Sequence, residues 1–184
     1  GLGALLTIAA GLAAPAALAT DEVPPNIVLI FTDDQGYGDL SCYGGEHVST
    51  PCIDQMAAEG SRLTSFYVAA PVCTPSRAAL MTGCYPKRID MATGSNFGVL
   101  LAGDRKGLNP DEITIAEVLK TVGYKTGMFG KWHLGHRQPF LPTRQGFDEF
   151  VGLVSGDGTW EHYDGTIRVV DVASGDTVIS IAPS

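Results

Sequence analysis

The sequence predicts an α/β domain with a mostly parallel sheet, and three observations carry that prediction. Residues 26–31, Asn-Ile-Val-Leu-Ile-Phe, are a continuous apolar run after Pro24-Pro25, which suits a strand buried on both faces. Thr114-Ile115-Ala116-Glu117 is a capping box that marks the start of a helix. Residues 124–129 follow that helix as a further strand. Strands that alternate with helices favour the α/β class.

Two helices and one more strand complete the pattern. Thr50-Pro51 predicts a helix through Glu59, with Thr50 as N-cap and Gly60 as its end. Residues 62–67 are predicted to form a second strand. The helix behind the capping box has one apolar face and should end at Gly123. That face consists of Ile115, Val118, Leu119 and Val122.

The remaining segments are predicted to be less regular. Residues 89–110 are rich in Gly and Asn and are predicted to form a loop or lid. Residues 166–181 alternate between apolar and polar side chains around Ser174-Gly175-Asp176, which indicates a hairpin.

Charge and the N-terminal segment limit the classes of partner. A net charge of −8 argues against nucleic acid or an anionic membrane as general partners. Residues 1–19 are an apolar, small-residue run ending in Ala17-Leu18-Ala19, which is typical of a signal peptide. The run is too short for a membrane span and is broken by Pro15. We therefore expect export to the periplasm or the extracellular space, no stable membrane insertion, and one domain in residues 20–184.

The chain has four cysteines, Cys42, Cys52, Cys73 and Cys84. In an exported protein this number suggests disulfides, with three possible pairings. No C-x-x-C occurs, which argues against a zinc cluster. If Cys73 has another role, three cysteines remain for pairing.

Asp33-Asp34 comes directly after the first predicted strand. Ligands of open α/β sheets bind at the carboxyl ends of strands, and two adjacent carboxylates repel unless a cation compensates them. Their hard oxygen ligands favour Ca²⁺ or Mg²⁺. The alternative is that these carboxylates cap the following turn, where Gly36 and Gly38 supply backbone freedom.

Cys73-Thr74-Pro75-Ser76-Arg77 combines a cysteine with a helix start. Thr74 is expected as N-cap and Pro75 as the first helical residue of a helix that Gly83 ends. Cys73 would then precede a helix N-terminus, where N–H groups attract an anion, and Arg77 could bind an oxyanion from one turn further on. The alternative is a buried or disulfide-bonded cysteine beside an ordinary helix.

Lys131 and His133 follow the strand predicted at residues 124–129. In an extended segment the two side chains would share one face, with Trp132 on the other. Together they could hold an anion and transfer a proton. A structural histidine is the alternative.

Four stretches, "PNIVLIFTDDQGYGDLSCYG", "CTPSRAALMTG", "GKWHLGH" and "LPTRQGFDEF", occur in the order typical of one family. Together they resemble the N-terminal half of the type I sulfatases, the formylglycine-dependent arylsulfatase family, from about Pro25 to Phe150. The resemblance implies a truncated alkaline-phosphatase-like α/β fold, with a mostly parallel sheet and helices on both faces. It also implies hydrolysis of sulfate monoesters in a sulfated small molecule or carbohydrate.

The resemblance also implies roles for individual residues. In the family, a formylglycine-generating enzyme oxidises the cysteine of C-x-P-S-R, so Cys73 would become formylglycine, whose hydrate is the nucleophile. Asp33 and Asp34 would bind the divalent metal, usually Ca²⁺ with Mg²⁺ as the alternative, and modified Cys73 would complete that side. Arg77 would steady the hydrate.

By the same resemblance, Lys131 and His133 would contact both the sulfate and the hydrate. The family completes its site with a later Asp-Asn or Asp-Gln pair and a further His and Lys. Here no Asn follows Asn109 and no Lys follows Lys131, so we expect a chain truncated at both ends and inactive by itself. Cys84 and Cys52 also stand where the family often has arginine and asparagine.

Two other functions remain as alternatives. A related phosphodiesterase or phosphatase of the alkaline-phosphatase superfamily would commonly have Ser or Thr in place of Cys73. A non-catalytic remnant would bind an anion or a metal weakly.

Overall fold

The computed structural model describes residues 24–93, 96–101, 103–154 and 168–170. The signal peptide predicted at residues 1–19 and the hairpin turn predicted at 174–176 lie outside them. The chain divides into two compact units, residues 1–35 and residues 36–184. Among the described residues, no helix combines the length and apolar character that crossing a membrane requires.

In the first unit, the strand predicted at residues 26–31 is absent from the described structure. This segment has no regular secondary structure, and Ile27 to Ile30 are 57–84% exposed. A strand is stabilised by a ladder of hydrogen bonds to a neighbouring strand. The three-stranded sheet that the structure describes does not include this segment.

The described part of the second unit contains three α-helices and three strands. The helices are α1 (Pro51–Glu59), α2 (Cys73–Thr82) and α3 (Ile115–Thr121), and the strands are β1 (Gly127–Lys131), β2 (Glu149–Leu153) and β3 (Arg168–Val170). Short 3₁₀ turns lie at Tyr37–Asp39, Ser41–Tyr43, Asn96–Gly98, Gln138–Phe140 and Pro142–Arg144.

The sheet has the order β1-β2-β3. β1 and β2 are parallel, with Gly130 opposite Gly152, and β3 runs antiparallel to β2. Gly152 has no space for a side chain, because a Cβ there would overlap the carbonyl of Gly130. The parallel pair confirms the predicted α/β class. β2 was not predicted, and β1 lies later than the predicted range of 124–129.

Helix α1 has the predicted bounds, whereas the strand predicted at residues 62–67 is wrong: this segment forms no strand. Its backbone carbonyls instead accept hydrogen bonds from tyrosine side chains. Tyr43 Oη donates to Leu63 O at 2.8 Å, and Tyr37 Oη lies 3.4 Å from Phe66 O.

The capping box of α3 is confirmed. Thr114 Oγ1 accepts a hydrogen bond from Glu117 N at 3.2 Å, and the Glu117 carboxylate accepts one from Thr114 N at 2.7 Å. The helix ends at Thr121, before the predicted Gly123. Three of the four side chains of its apolar face are exposed, with Ile115, Val118 and Val122 at 43%, 53% and 65%, whereas Leu119 is partly buried.

Four parts of the second unit contribute to the core: helix α2, the loop that follows it, strand β2, and the segment that follows strand β1. The core contains Ala78, Met81, Ile89, Met91, Leu100, Leu108, Trp132, Leu134 and Phe150. Four of these side chains come from the loop predicted at residues 89–110. The prediction of a loop is confirmed, but this loop forms much of the core and does not merely cover it.

All four cysteines are free thiols, so the structure contradicts the expected disulfides. Cys52 is exposed, whereas Cys42, Cys73 and Cys84 are partly buried.

Candidate active site

Helix α2 begins two residues earlier than predicted, and this places Cys73 inside it. Cys73 is the first residue of the helix, and Val72 is the N-cap, with an extended backbone. The helix ends at Gly83, whose φ of 67° suits a glycine. Cys73 therefore belongs to the first turn, where backbone N–H groups have no partner within the helix.

Thr74 is not the N-cap that the sequence predicted. Its hydroxyl donates to His133 O at 3.0 Å and accepts a hydrogen bond from Leu100 N at 3.2 Å. The side chain therefore connects α2 to two distant segments, and the helix begins without a side-chain cap.

Arg77 is 8% exposed, and its Nη1 donates a hydrogen bond to the backbone carbonyl of Lys131. Helix α2 is thereby joined to the end of β1 by a charge-assisted hydrogen bond. The structure thus brings Arg77 to the segment that carries Lys131 and His133.

The segment after β1 does not stay extended, as the prediction of a shared Lys131 and His133 face required. Trp132 N still donates to Leu153 O at 2.7 Å, but His133 has a φ of 60°. This left-handed conformation is uncommon for a residue with a Cβ. The backbone turns at His133, so the two side chains are not related by strand geometry.

His133 is nearly inaccessible, at 1% exposure. Its Nε2 lies 2.7 Å from the backbone carbonyl of Leu100. Lys131 is half-buried. A buried histidine with a hydrogen-bonded ring has a fixed orientation, which suits either a structural or a catalytic role.

Asp33 and Asp34 belong to the first unit, whereas the other four predicted residues belong to the second. Both aspartates are exposed, and Asp34 has a φ of 55°. The carboxylate that bonds the following turn is that of Asp39, which accepts from Gly36 N at 2.7 Å. Among the described residues, no three His, Cys, Asp or Glu side chains form a group that could hold a metal ion.

A cleft of about 290 Å³ lies along the loop that follows α2, and Leu100 is one of its lining residues. Two further lining residues form an ion pair, in which Lys106 Nζ lies 2.7 Å from Asp90 Oδ2. The hydrogen bond from Lys106, followed by that from Thr93, lowers the pKa of Asp90. None of the six predicted site residues lines this cleft. Leu100 both lines the cleft and contacts the ring of His133.

Two parts of the candidate site were not predicted from the sequence, the Thr74 hydroxyl and the Leu100 backbone. Thr74 lies in the C-x-P-S-R motif, but its position before proline indicated only a cap. Leu100 contributes its N–H and C=O, and no side-chain pattern reveals a backbone contact 33 residues from His133.

The helices and the parallel strand pair place the chain among the α/β proteins. The sulfatase family profile matches residues 25–172. The chain belongs to the sulfatase family.

Relatives support this assignment. The chain is 54% identical over 151 residues to arylsulfatase A of Homo sapiens, covering 81% of this chain and 28% of that protein. It is 50% identical over 135 residues to steryl-sulfatase of Rattus norvegicus, covering 70% of this chain and 23% of that protein. The crystal structure of PsFucS1 sulfatase from Pseudoalteromonas sp. has a TM-score of 0.58 and 43% identity, covering 66% of this chain and 24% of that one. The chain therefore spans about a quarter of the length of these relatives.

Proposed function

We propose that this chain is the nucleophile-bearing portion of a sulfatase that hydrolyses sulfate monoesters of an aryl or other organic alcohol. Family membership supports the reaction class. Similarity to an arylsulfatase and to a steryl-sulfatase supports a sulfate ester as the substrate. Because the chain spans so little of these relatives, we assign the activity to the longer protein.

One structural observation carries the proposal. Helix α2, which begins at Cys73, is bonded through Arg77 to Lys131 O and through Thr74 to His133 O. These two hydrogen bonds join residues that are 54 and 59 positions apart in the sequence. A cysteine, an arginine, a lysine and a histidine in one region suit the handling of an oxyanion.

Cys73 is the proposed nucleophile position, after conversion to formylglycine by a formylglycine-generating enzyme. Formylglycine would supply a hydrated aldehyde. One of its hydroxyls can attack sulfur as the alcohol leaves, and loss of the proton of the other hydroxyl would then expel sulfate and restore the aldehyde. Cys73 is partly exposed, and as the first residue of α2 it lies where a helix favours negative charge.

The other proposed residues bind and orient. Arg77 would steady the oxygens at Cys73, and Lys131 would neutralise the sulfate charge. His133 would bind the same oxygens and move a proton. These roles follow residue type and position in the family motifs, and they are supported by the hydrogen bonds that restrict the side chains of Arg77 and His133.

Asp33 and Asp34 would hold Ca²⁺, or Mg²⁺, together with the modified Cys73. Exposed adjacent carboxylates have the donor chemistry that such cations prefer, but Ca²⁺ takes about 6–8 oxygens. Two carboxylates cannot supply that number, so we assign the remaining ligands to sequence beyond this chain.

Export directed by residues 1–19 is also part of the proposal and is supported by sequence pattern alone.

The test is to co-express the longer protein with a formylglycine-generating enzyme and to analyse the peptide that contains Cys73. We expect loss of the thiol, reaction with a hydrazine probe and turnover of an aryl sulfate that Cys73→Ala abolishes. Cys52 and Cys84 serve as internal controls and should keep their thiols. An intact Cys73 thiol, under conditions that mature a known sulfatase, would contradict the proposal.

A further inference from the structure

The side chain of Thr74 and the backbone of Leu100 surround His133. Thr74 Oγ1 donates to His133 O at 3.0 Å and accepts from Leu100 N at 3.2 Å. A hydroxyl has one hydrogen to donate and two lone pairs to accept with, so one group serves both partners. Thr74 has no exposed surface, and water therefore does not compete for these bonds.

Leu100 completes a closed set of contacts by returning to the ring of His133. Its carbonyl oxygen lies 2.7 Å from Nε2. A carbonyl oxygen only accepts hydrogen bonds, so Nε2 must carry the hydrogen. In the neutral ring, Nδ1 is then the nitrogen with the lone pair.

The backbone of His133 also needs support. Its φ of 60° is left-handed, a conformation that residues with a Cβ adopt only where their surroundings hold them in it. The Thr74 hydroxyl bonds the carbonyl of this same residue. Thr74 therefore acts on the peptide of His133 directly and on its ring through Leu100.

We propose that Thr74 is a positioning residue, which through Leu100 fixes His133 as the Nε2–H tautomer and so presents Nδ1 as its proton-accepting nitrogen. This inference rests on the proposed function, in which His133 acts on oxygens at Cys73. Thr74 directly follows Cys73, so one residue couples the nucleophile position to the tautomer of the histidine.

The tautomer can be measured without turnover. The chain is labelled with ¹⁵N-histidine, and its ring nitrogens are observed by NMR at about pH 8, where an ordinary imidazole is neutral. The chain has four histidines, and His133→Gln identifies the signals of His133. We expect one tautomer with hydrogen on Nε2 in the unsubstituted chain, a mixture in Thr74→Val, and the single tautomer again in Thr74→Ser.

Thr82→Val is the matched control. Thr82 lies on the same helix and its hydroxyl donates to Ala78 O at 2.8 Å, so the substitution removes a comparable group away from His133. It should leave the tautomer unchanged. Hydrogen on Nδ1 of His133 in the unsubstituted chain would overturn the inference, even if Thr74→Val did not fold.

Turnover by the matured longer protein separates this inference from the proposed function. Thr74→Val should lower kcat at least tenfold per mole of aldehyde, and Thr74→Ser should recover most of that loss. The rate is divided by the aldehyde content because Thr74 lies within the C-x-P-S-R segment, where a substitution can also change how much Cys73 is converted. No turnover by the unsubstituted protein would refute the proposed function, whereas turnover with a tautomer that Thr74→Val leaves unchanged would refute only the positioning role.

Discussion

Arg77 and Thr74 stabilise the fold and orient the proposed site at the same time. The buried side chain of each residue donates a hydrogen bond to a backbone carbonyl of the segment that carries Lys131 and His133. A buried charge such as that of Arg77 is costly unless it is hydrogen-bonded. Loss of activity on substitution of either residue therefore identifies a role in the site only when stability is measured alongside it.

Calcium binding by Asp33 and Asp34 is a prediction at the scale of single residues. We expect the 184-residue chain to bind Ca²⁺ only weakly, with a Kd of roughly 10⁻³ M or higher, because most of the oxygens that the ion requires are absent from this pair. Asp34→Ala should remove the binding measured by calorimetry. Asp111→Ala, which deletes one exposed carboxylate elsewhere, should not. Tight binding that survives Asp34→Ala would mean that the site lies elsewhere.

Residue types in the site were predictable from the sequence, but their partners were not. C-x-P-S-R and K-x-H indicated oxyanion chemistry because Arg and Lys bind oxyanions, His can transfer a proton, and the cysteine precedes a predicted helix N-terminus. The tautomer of His133 depends on a backbone carbonyl, which every residue has. The position of that carbonyl, which belongs to Leu100, depends on how the loop at residues 89–110 folds. Side-chain patterns in the sequence do not specify that folding.

At the scale of elements, α3 is held at its start by the capping box and near its end by an ion pair. Lys120 Nζ lies 2.6 Å from Asp148 Oδ1, and Asp148 Oδ2 accepts a hydrogen bond from Thr126 N at 2.9 Å. Asp148 precedes β2 and Thr126 precedes β1. This carboxylate therefore joins the helix to both strands of the parallel pair.

Thr114→Ala should destabilise the domain. The Thr114 hydroxyl caps α3 and also donates to Gln145 O at 2.8 Å, and the residue is fully buried. Losing the cap costs about 1 kcal/mol, and the unbonded carbonyl adds about 1 kcal/mol or more. Urea unfolding followed by circular dichroism should show a drop of about 2 kcal/mol, which Thr114→Ser largely avoids. The exposed Thr121→Ala should cost about 0.5 kcal/mol or less, and an equal loss at both positions would contradict this role of Thr114.

Asp148 should make stability depend on acid pH. The hydrogen bond from Lys120, followed by that from Thr126 N, lowers the pKa of Asp148 from 3.8 to about 2. A carboxyl with a lowered pKa stabilises the folded state above its unfolded pKa, and this contribution is lost as pH falls from 3.8 towards 2. The difference in unfolding free energy between the unsubstituted chain and Asp148→Asn should therefore shrink over that range. A difference that stays constant between pH 5 and pH 2 would show that the carboxylate is not stabilised in this way.

Elements with local signals were predictable, whereas those that depend on distant partners were not. The helices at residues 51–59 and 115–121 have local start and stop signals in the sequence, and their positions were predicted to within two residues. Residues 26–31 have the composition of a buried strand but form none in the described structure. β2 exists through its pairing with β1, and its short sequence Glu-Phe-Val-Gly-Leu has little strand pattern of its own.

At the scale of the whole molecule, much apolar surface is exposed. The exposed apolar side chains include residues 27–30, Ile115, Val118 and Val122 on the face of α3, and Phe129 on β1, which is 71% exposed. β1 is also an edge strand of the described sheet, and exposed edge strands promote association between chains. We therefore expect residues 20–184 to aggregate at concentrations where a chain extended by its natural downstream sequence does not, as light scattering can measure.

We also expect no appreciable sulfatase turnover from residues 20–184, even after complete conversion of Cys73. The chain contains the proposed nucleophile position, Cys73, together with Arg77, Lys131 and His133. It has too few of the proposed metal ligands to complete a Ca²⁺ site. Groups that act as one catalytic unit lose activity together, and each increase of about 1.4 kcal/mol in the barrier lowers the rate tenfold. An assay with an aryl sulfate, normalised to aldehyde content, should give no more than background, and extension with the natural downstream sequence should restore turnover that Cys73→Ala abolishes. Turnover by residues 20–184 alone at a rate typical of enzymes would mean that this chain already supplies every group the reaction needs.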